Sequence, residues 1–575
     1  MIEESRVVQK AFETVMVQLI SGLVNEFAST IQLNENELTA VIPSLDASNN
    51  CSNEIHAQAV RNPFTKDILI VNVNKIFINR DPLKKVDDLL KLGFNEKQFK
   101  LLKANLAATV YLERIYEESR YKRPQLLEIF EQLIGIKIDT LNVKNPGALA
   151  ELLSFLPQRE AFILSDTCGN VDGSNGNPLK NVLIGEDSNL IEYHPISVAF
   201  EQGTSNLLLV PYETARIKTL GRISDRLQSD FSYLNEGLIP MNSYSFQLIK
   251  AIESERTSVD ALKTFTLLSK RSFIPLHGDY QIKTSFPAQI TSEMRTIDWI
   301  TMHDVLYSSR IVEQLAKKKL LPDQFWVQLT VFGSQANEDD RTTFYIREGL
   351  QDAISNNSNR GIPKEFTPIT ACALTNRNII TPDKTLLESM IEFGFDGIEL
   401  FKKISRAIIH AQLHLIKIGW IPDCHTQNMI YLFDFNKKTF GGLLQRDSEC
   451  EKINLEKLRS YHVDIEPKSP LNFKLLRTLE NDDDKPLTLY LHHTVYTKHI
   501  VPIAMILNEK YNIHSNVLCD HVKECLIEWQ NQNVDYDIRK DIDLSGRYYE
   551  RNLACKTLGI GEPPHYRIIS NHPLL

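Results

Sequence analysis

The strongest constraint on the fold is a long apolar pattern that ends abruptly at Gly419. Apolar residues recur at spacings of three and four, and this period predicts an amphipathic helix with one buried face. The residues of that face are Ile398, Phe401, Ile404, Ile408, Ala411, Leu415 and Ile418. Gly419 then ends the helix, because glycine readily adopts the left-handed conformation that closes many helices. The apolar run from Met429 to Phe433 predicts a buried strand soon after it.

The segment between this helix and this strand is unusually polar. Residues 420–433 read WIPDCHTQNMIYLF, and Asp423, His425, Gln427 and Asn428 fall close together within it. Polar groups held between two rigid elements are typical of binding sites. A capped turn whose polar groups satisfy one another would have a similar sequence, so this alternative stays open.

Bulk composition limits the class of protein. The chain has 575 residues, of which 42% are hydrophobic, so it can bury large cores and divide into about three or four domains. Its formal net charge is −9, and basic and acidic residues are interspersed. Nucleic-acid binding needs a concentrated positive face, so we expect no nucleic-acid partner.

Cysteine usage and hydropathy bear on the compartment. The eight cysteines lie far apart without a C-x-x-C pair, which argues against a disulfide framework or a structural zinc site. No apolar run approaches the length of about eighteen residues that a transmembrane helix needs. The N-terminus lacks the basic start and the cleavage site of a signal peptide. We therefore expect a soluble, cytoplasmic protein with no membrane partner.

Patterning divides the chain into three regions and predicts an α+β, multi-domain fold. Residues 1–190 are mainly helical, residues 191–394 are rich in short apolar runs typical of strands, and residues 395–575 are again mostly helical. We therefore predict a helical N-terminal domain, a sheet-rich middle domain and a mostly helical C-terminal domain.

Individual elements are also predicted within these regions. In the N-terminal region, the patterns at 38–43 and near 67–78 predict short strands. In the middle region, residues 243–268 and 301–320 have the period of helices.

A second polar segment lies in the middle region, at residues 269–295. It reads SKRSFIPLHGDYQIKTSFPAQITSEMR and interleaves cations with hydroxyls on predicted strands and turns. These residues are Arg271, Lys283 and Arg295 with Ser269, Ser272, Thr291 and Ser292. Arginine holds two oxygens at once and lysine supplies a point charge, so the set suits a polyanion such as a triphosphate or a polycarboxylate. Solvated strand faces also carry arginine and lysine, which is the alternative.

A third polar piece, GGLLQRDS, follows the strand after the polar segment and contains Arg446 and Asp447. An aspartate about twenty residues beyond an asparagine, across a hairpin, can share a magnesium ion with it, because Mg²⁺ prefers few protein oxygens together with phosphate oxygens. Asn428 and Asp447 are therefore candidate Mg²⁺ ligands. A surface pair of Arg446 and Asp447 is the alternative.

The order of these motifs resembles the NRPS-independent siderophore synthetases, the aerobactin-synthetase (IucA/IucC) family. Motifs of that family are S-x-R-T, then a Lys, a Thr and an Arg, and much later H-x-Q-N and R-D. Here S-K-R-S occupies 269–272, with Ser272 in place of Thr. Lys283, Thr291 and Arg295 follow with the family's spacing.

The later motifs match as well. His425, Gln427 and Asn428 fit H-x-Q-N without change, and Asp423 stands where a Glu is common. Arg446 and Asp447 fit R-D, and TFYIREG at 343–349 resembles a strand ending in Arg-Glu that lies between these blocks. The chain length and the helical N-terminal region fit too, so the resemblance extends over the whole chain.

The resemblance implies a fold and a reaction. The fold is a cupped hand, with a thumb-like domain at 1–190, a fingers-like domain at 191–394 and a palm-like domain at 395–575. The reaction is the ATP-dependent condensation of a polycarboxylic acid, citrate or a citrate-like acid, with an amine or alcohol through an acyl-adenylate. ATP and Mg²⁺ are the implied cofactors, and a homodimer is possible.

The resemblance also implies roles for the matching residues. The catalytic set is His425, Arg295, Arg271 and Lys283. The ATP-binding set is Ser269, Arg271, Ser272, Lys283, Arg295, His425, Gln427, Asn428 and Asp447. The substrate-binding set is Thr291, Ser292, Arg295, Asp423 and His425, and the metal ligands are Asn428 and Asp447.

Two places depart from the family pattern. The family loop G-H-P-x-H-P-x-x-K-x-R-x-G corresponds to 173–185, where both histidines are missing, Asn181 replaces the Lys and Leu183 replaces the Arg, with Lys180 one residue off. Asn242 stands where the family often has a His. These positions often face the carboxylic substrate. The alternatives are therefore a ligase or phosphotransferase acting on a different acid, and a non-catalytic ATP-binding homologue.

Overall fold

The structure is a computed structural model of the full chain. It describes residues 20, 23–24, 30–34, 36–43, 52–61, 68–78, 81–82, 147–168, 183–184, 204–225, 227–267, 271–290, 293–357, 359–375, 384–448, 450–463, 490–538, 548–551 and 566–569.

The described residues contain strands from the N-terminal region to the end of the chain. In chain order they are β1 (Thr30–Asn34), β2 (Glu37–Pro43), β3 (Ser52–Arg61), β4 (Ile68–Ile78), β5 (Asp81–Pro82), β6 (Leu183–Ile184), β7 (Thr204–Pro211), β8 (Ile217–Gly221), β9 (Leu238–Met241), β10 (Asp260–Thr266), β11 (Ser272–Pro275), β12 (Gln281–Thr284), β13 (Phe286–Ile290), β14 (Glu293–Arg295), β15 (Phe325–Val327), β16 (Thr330–Ala336), β17 (Phe344–Arg347), β18 (Thr367–Thr370), β19 (Trp420–Pro422), β20 (Met429–Asp434), β21 (Thr439–Gln445), β22 (Cys450–Ile453), β23 (Tyr548–Arg551) and β24 (Tyr566–Ile569).

The helices of the described residues are concentrated in the second half of the chain. In chain order they are α1 (Ala148–Phe155), α2 (Gln158–Cys168), α3 (Ser232–Asn235), α4 (Ser243–Ile252), α5 (Trp299–Lys317), α6 (Ala371–Thr375), α7 (Leu386–Phe393), α8 (Gly397–Ile418), α9 (Leu455–Ser460), α10 (Val501–Tyr511) and α11 (Ser515–Gln532). Short 3₁₀ turns lie at Thr214–Arg216, Gln228–Phe231, Asp340–Thr342 and Leu350–Asp352, and a π-helix spans Tyr490–Ile500.

Three larger sheets organise the described part of the chain, beside the small sheets β14-β13-β6, β19-β22 and β23-β24. The N-terminal sheet has the order β1-β2-β3-β4-β5 and is antiparallel throughout. The largest sheet has eight strands in the order β8-β16-β17-β12-β11-β10-β7-β9 and is also antiparallel. The third has the order β15-β21-β20-β18, with β15 parallel to β21. Antiparallel ladders of this kind, with helices packed on them, define an α+β fold.

The long helix α8 shows how local sequence sets an element. Asp396 caps its first turn, because the carboxylate accepts from the backbone N–H groups of Ile398 and Glu399. Gly419 ends it at φ 93°, in the left-handed region that glycine tolerates. The apolar face packs against β21 and α11, so the helix lies directly behind the third sheet.

The eight-stranded sheet separates two environments. On one face, Phe273 and Ile282 belong to an apolar core that also includes Ile346. Residues directly opposite each other in antiparallel strands share a face, and the register pairs Ser272 with Lys283 and Lys283 with Tyr345. The opposite face of β11, β12 and β17 therefore carries polar side chains, and it lies toward α5 and the third sheet.

Most of the predicted elements are confirmed. The helix before Gly419, the strand from Met429 and the short strands at 38–43 and near 67–78 are all present. The predicted helix at 243–268 is wrong in its second half, because α4 ends at Ile252 and residues 260–266 form β10. Pairing of β10 with β7 and β11 overrides the apparent helical period there.

The N-terminal region is richer in strand than its sequence pattern indicates. Residues 30–82 contribute five strands to one sheet, whereas only two were expected, and α1 and α2 follow at 148–168. The bounds of the three predicted domains, at 190 and 394, stay predictions. In the part of the chain that the structure describes, no helix combines the length and apolar character that crossing a bilayer requires.

Candidate active site

The polar segment between α8 and β20 forms a compact turn, which we call the polar turn (residues 423–428). Asp423 organises it, because one carboxylate oxygen accepts from the backbone N–H of His425 at 3.0 Å and the other from the amide of Asn428 at 3.1 Å. Cys424 and Thr426 are buried, whereas the side chains of Asp423, His425, Gln427 and Asn428 are partly exposed. The turn therefore presents its four polar side chains on its accessible side.

The backbone carbonyls of the polar turn accept hydrogen bonds both from within the turn and from buried residues packed against it. His425 O accepts from the N–H of Asn428 at 2.7 Å, and Thr426 O accepts from the N–H of Cys372 at 3.2 Å. The guanidinium of Arg446 donates to the carbonyl of Gln427. These bonds fix the backbone on its buried side, so the partly exposed side chains project from a rigid backbone.

A second group of polar residues lies between the eight-stranded sheet and the end of β21 and is almost fully buried. Asp447 Oδ2 is 2.7 Å from Lys283 Nζ and 2.8 Å from a guanidinium nitrogen of Arg347. Arg347 also donates to Gln281 at 2.8 Å, its partner across the β12–β17 ladder. We call Lys283, Arg347 and Asp447 the ionic cluster. Their side chains are 7%, 2% and 5% exposed, respectively.

The ionic cluster has an electrostatic bias. Two cations share one carboxylate, so the cluster has a formal net charge of about +1 in surroundings where water is largely excluded. The ammonium of Lys283 and the guanidinium of Arg347 also lie 5.2 and 5.8 Å from the centre of the Tyr345 ring. A buried group of net positive charge is suited to an anionic partner.

One residue joins the polar turn to the ionic cluster. The side-chain amide of Gln445, at the end of β21, donates to the carbonyl of Asp423 at 2.9 Å and to the carbonyl of Asp447 at 2.9 Å. The neighbouring Arg446 holds the turn at Gln427. The structure therefore brings Lys283 of the middle region together with the H-x-Q-N and R-D segments of the C-terminal region.

The remaining predicted cations lie beside the same strands. The guanidinium of Arg271 donates to the carbonyl of Arg295 at 2.6 Å, and both side chains are half-buried. The carbonyl of Arg271 accepts from Thr284, next to Lys283. Arg271, Lys283 and Arg295 thus belong to one neighbourhood, as the motif spacing predicts. Ser269, Thr291 and Ser292 lie outside the described residues, and Ser272 is buried opposite Lys283.

Arg347 is the residue that sequence reasoning missed. In the sequence it belongs to TFYIREG, which resembles a family strand that ends in Arg-Glu, and the pattern gives it no role. The sequence shows a cation in TFYIREG but not its burial: Arg347 is buried, whereas a solvated strand face would leave it exposed. The alternative of a surface pair between Arg446 and Asp447 is wrong, because both side chains are buried and each pairs with a different partner.

Asn242, which replaces a family histidine, has a structural function. Its side-chain oxygen caps α4 by accepting from the N–H of Ser245 at 2.8 Å. Its amide nitrogen donates to Thr284 Oγ1 at 2.9 Å and to the carbonyl of Ser285 at 2.6 Å. The side chain is therefore engaged on both ends beside β12. Of the altered loop at 173–185, the structure describes only β6, which pairs with β13.

The predicted magnesium ligands are not arranged for a metal. Asp447 Oδ2 already contacts Lys283 and Arg347, and Asn428 directs its amide nitrogen at Asp423. A divalent cation at Asp447 would be repelled by the two cations, so this donor set does not fit Mg²⁺. Within the described ranges, no three His, Cys, Asp or Glu side chains cluster closely enough to hold a metal ion. Asn428 and Asp447 are therefore not assigned as metal ligands, and Mg²⁺ as a cofactor stays a prediction from sequence.

The fold is that of the NRPS-independent siderophore synthetases, because solved structures of this class match nearly the whole chain. One is the petrobactin biosynthesis protein AsbB from Bacillus anthracis str. Sterne, with a TM-score of 0.73 and 12% identity, covering 99% of this chain and 96% of that one. Another is ATP-bound aerobactin synthetase IucA from a hypervirulent pathotype of Klebsiella pneumoniae. Its TM-score is 0.63 and its identity 14%, and the match covers 98% of this chain and 99% of that one.

Aerobactin synthetase IucC from the same pathotype matches with a TM-score of 0.65 and 11% identity, over 98% of this chain and 99% of that one. No protein-family profile matches the chain, and no curated protein sequence does. Identities this low establish a shared fold, which confirms the predicted α+β, multi-domain class. Fold alone leaves the reaction to be argued from the site.

Proposed function

We propose that this chain is an ATP-dependent ligase of siderophore biosynthesis. It would condense a polycarboxylic acid, citrate or a citrate-like acid, with an amine or alcohol through an acyl-adenylate. The proposal includes a cytoplasmic location, where ATP and small-molecule acids are available, and a possible homodimer. It includes neither a nucleic-acid nor a membrane partner.

The observation that carries the proposal is the junction made by Gln445. Through it, the buried cations of the ionic cluster and the exposed side chains of the polar turn belong to one site, although Lys283 and Asp447 are 164 residues apart in the chain. An ATP-bound aerobactin synthetase has the same fold, which supports nucleotide as the anion that this site receives.

The reaction needs positive charge where negative charge develops. A carboxylate oxygen of the acid attacks the α-phosphorus of ATP, the bond to the leaving pyrophosphate oxygen breaks, and an acyl-adenylate forms. The amine or alcohol then attacks the acyl carbon, AMP leaves, and the nucleophile's proton goes to solvent. Preorganised donors at such centres contribute on the order of a hundred- to thousandfold in rate each.

We assign the cations to the phosphates. Arg271, Lys283 and Arg295 would bind the triphosphate and stabilise the leaving pyrophosphate, with hydrogen bonds from Ser269 and Ser272. Lys283 is already held by Asp447, so ATP would have to share that lysine with the carboxylate. Such sharing would keep the lysine fixed before the nucleotide arrives, which lowers the cost of organising the site.

We assign the polar turn to the reacting end of the substrates. His425 would contact the α-phosphate and the activated carboxylate, while Gln427 and Asn428 hold the nucleotide. Asp423 would act mainly by fixing the turn, because both of its carboxylate oxygens accept from within it. Thr291, Ser292 and Arg295 would complete the binding of the acid.

A second candidate function is supported by Asn242. Asn242 stands in place of the family histidine and caps α4. Its amide also donates to Thr284, the last residue of β12, and to the carbonyl of Ser285. The site would then keep nucleotide binding while losing part of the contact with the acid. In that case the chain is a non-catalytic ATP-binding homologue, or it acts on a different acid.

An ATP–pyrophosphate exchange assay with a panel of di- and tricarboxylates tests the proposal. We expect exchange that depends on one of the acids, because adenylate formation is reversible when pyrophosphate is supplied. A phosphorylated acid formed without exchange would instead identify a phosphotransferase. ATP binding without either product would support the non-catalytic homologue and contradict the ligase.

A further inference from the structure

Two of the backbone carbonyls of the polar turn lie directly before His425 and Asn428, and both are held by buried side chains from outside the turn. Cys424 O lies directly before His425, and Gln427 O lies directly before Asn428. Each of the two carbonyls accepts a hydrogen bond from a buried side chain: that of His499 at Cys424 and that of Arg446 at Gln427. The positions of His425 and Asn428 therefore depend on side chains that do not belong to the turn.

Arg446 connects the turn to a helix of the N-terminal region. One of its guanidinium nitrogens donates to Gln427 O, and another lies 2.8 Å from Asp166 Oδ1 on α2. The side chains of Arg446 and Asp166 are only 1% and 0% exposed. Thr370 Oγ1, at the end of β18, donates to the same aspartate oxygen at 2.6 Å. Asp166 is thus fixed by the third sheet and in turn fixes the guanidinium.

The geometry of a guanidinium explains why the aspartate matters to the turn. The group is planar and its donors have fixed directions, so a carboxylate on one edge decides where the other edge points. Removing the charge of Asp166 would leave a buried cation without its counter-ion, and the guanidinium would then move toward other acceptors. The hydrogen bond to Gln427 would weaken as a consequence.

The other end of the turn shows the same arrangement. His499 Nε2 is 2.6 Å from the carbonyl of Cys424, and Tyr431 OH is 2.7 Å from His499 Nδ1. Burial lowers the pKa of His499 to about 4, so the ring is neutral near pH 7. A neutral ring that accepts from Tyr431 at Nδ1 carries its proton at Nε2, where it donates to the carbonyl.

We propose that Asp166 is a positioning residue of the active site, which acts through the Arg446 guanidinium on the polar turn that carries His425. The inference rests on the proposed function, because it assumes that the turn binds nucleotide. It assigns a role in the reaction to the N-terminal region, which supplies none of the motif residues. Asp166 itself touches no substrate in this account.

The test compares Asp166→Asn with Asp434→Asn in the full-length protein. Asp434 is a matched control, because its side chain is also buried, at 3% exposure, and pairs with Lys437 at the far end of β20. We expect Asp166→Asn to lower kcat of the exchange reaction by about ten- to a hundredfold, since small displacements of a reacting group cost rates of that order. The control should stay within about twofold of wild type.

Hydrogen exchange provides a readout that is independent of activity. The amides of Asn428 and Met429 both donate to His425 O, so they report on the turn directly. In Asp166→Asn we expect faster exchange at these two amides, while in Asp434→Asn their exchange is unchanged. If Asp166→Asn does not fold, Thr370→Val removes only the hydroxyl that holds Asp166 and should produce a smaller effect in the same direction.

The outcomes separate this inference from the proposed function. Unchanged hydrogen exchange at the amides of Asn428 and Met429 in Asp166→Asn would overturn the inference. Wild-type activity of Asp166→Asn despite faster hydrogen exchange at these amides would overturn it as well. If the wild-type protein shows no acid-dependent exchange of pyrophosphate, the proposed function fails. The positioning role of Asp166 is then tested by the affinity for ATP instead of by activity. An affinity about tenfold weaker in Asp166→Asn then supports the positioning role, and an equal affinity overturns it.

Discussion

The polar turn and the ionic cluster hold polar groups in opposite ways. In the polar turn the backbone is buried and the side chains are accessible, so the hydrogen bonds that fix it leave His425 and Gln427 facing outward. In the ionic cluster the side chains themselves are buried, and Lys283 contacts Asp447 across the two regions of the chain.

The difference shows how stability and activity are distributed over the site. Charges that are buried against each other are strongly tied to folding, because removing one leaves the others without compensation. Side chains that project from a fixed backbone contribute little to folding and can be devoted to ligands. Mutations in the cluster should therefore change stability first, whereas mutations in the turn should change activity first.

The largest effect is expected from Asp447→Ala, which removes the carboxylate from two buried cations. The free energy of unfolding should fall by about 3–5 kcal/mol, because Lys283 and Arg347 would then repel each other without compensation. Chemical denaturation measures the loss. Asp535→Ala is the control, since that aspartate pairs with Lys417 on the surface and should leave the stability unchanged. Equal stability of both variants would mean that the cluster is not a folding element.

His425→Ala should have the largest effect on activity with little effect on folding. Acid-dependent exchange should fall by about a hundredfold or more, because the proposed contact of His425 with the α-phosphate is lost. The free energy of unfolding should change by less than about 1 kcal/mol. His521→Ala, on α11 and away from the turn, is the control and should retain activity. Near-normal exchange in His425→Ala would contradict the assignment of the turn. Near-normal exchange in Arg295→Ala would contradict the assignment of that cation to the phosphates.

The anchoring of the turn predicts a pH dependence. The pKa of His499 is about 4 in the folded state because of burial, below the ordinary value of 6.5. Between these values the unfolded state binds more protons, so stability falls as the pH falls from about 6.5 toward 4. Between pH 7.5 and 5 the wild type should lose about 2 kcal/mol more than His499→Gln. Parallel pH profiles of the two proteins would show that His499 is not neutral and buried.

The smallest of these effects is expected from Asn242→Ala, beside the end of β12, the strand that carries Lys283. Asn242→Ala removes the cap of α4 and the hydrogen bond to Thr284, so stability should fall by about 1–2 kcal/mol. Asp396→Ala removes the exposed cap of α8 and should cost about 0.5–1 kcal/mol. Thermal or chemical denaturation of the two variants makes the comparison. A larger loss in Asp396→Ala would show that burial adds nothing to the cap at Asn242.

Much of the fold follows from local patterns in the sequence. The period of α8, its cap at Asp396 and its end at Gly419 involve neighbours along the chain, and all three are present. The predicted helix at 243–268 is wrong from residue 253 onward because strand β10 depends on partners that are distant in sequence. The N-terminal sheet was partly missed for the same reason, since its five strands stabilise one another by pairing.

The candidate site was predicted unevenly. The order and spacing of the motifs placed Lys283 near Asp447, and the structure has the two in contact. The metal pairing of Asn428 with Asp447 was inferred from residue types and from their spacing across a hairpin, and the structure gives Asp447 two cations as partners instead. Arg347 and Asp166 had no local signal for their roles, because nothing in their own segments shows which charge they meet.

The sequence by itself determined the principal helix, the polar character of residues 423–428 and the order of the motifs. These features depend on the periodicity of helices and strands and on the chemistry of residues that are neighbours along the chain. Only the tertiary structure decided that Asp447 pairs with both Lys283 and Arg347 and that Asp166 fixes Arg446. The energy of a charge depends on its distance from other charges in space and on the exclusion of water, and both are set only when distant segments pack together.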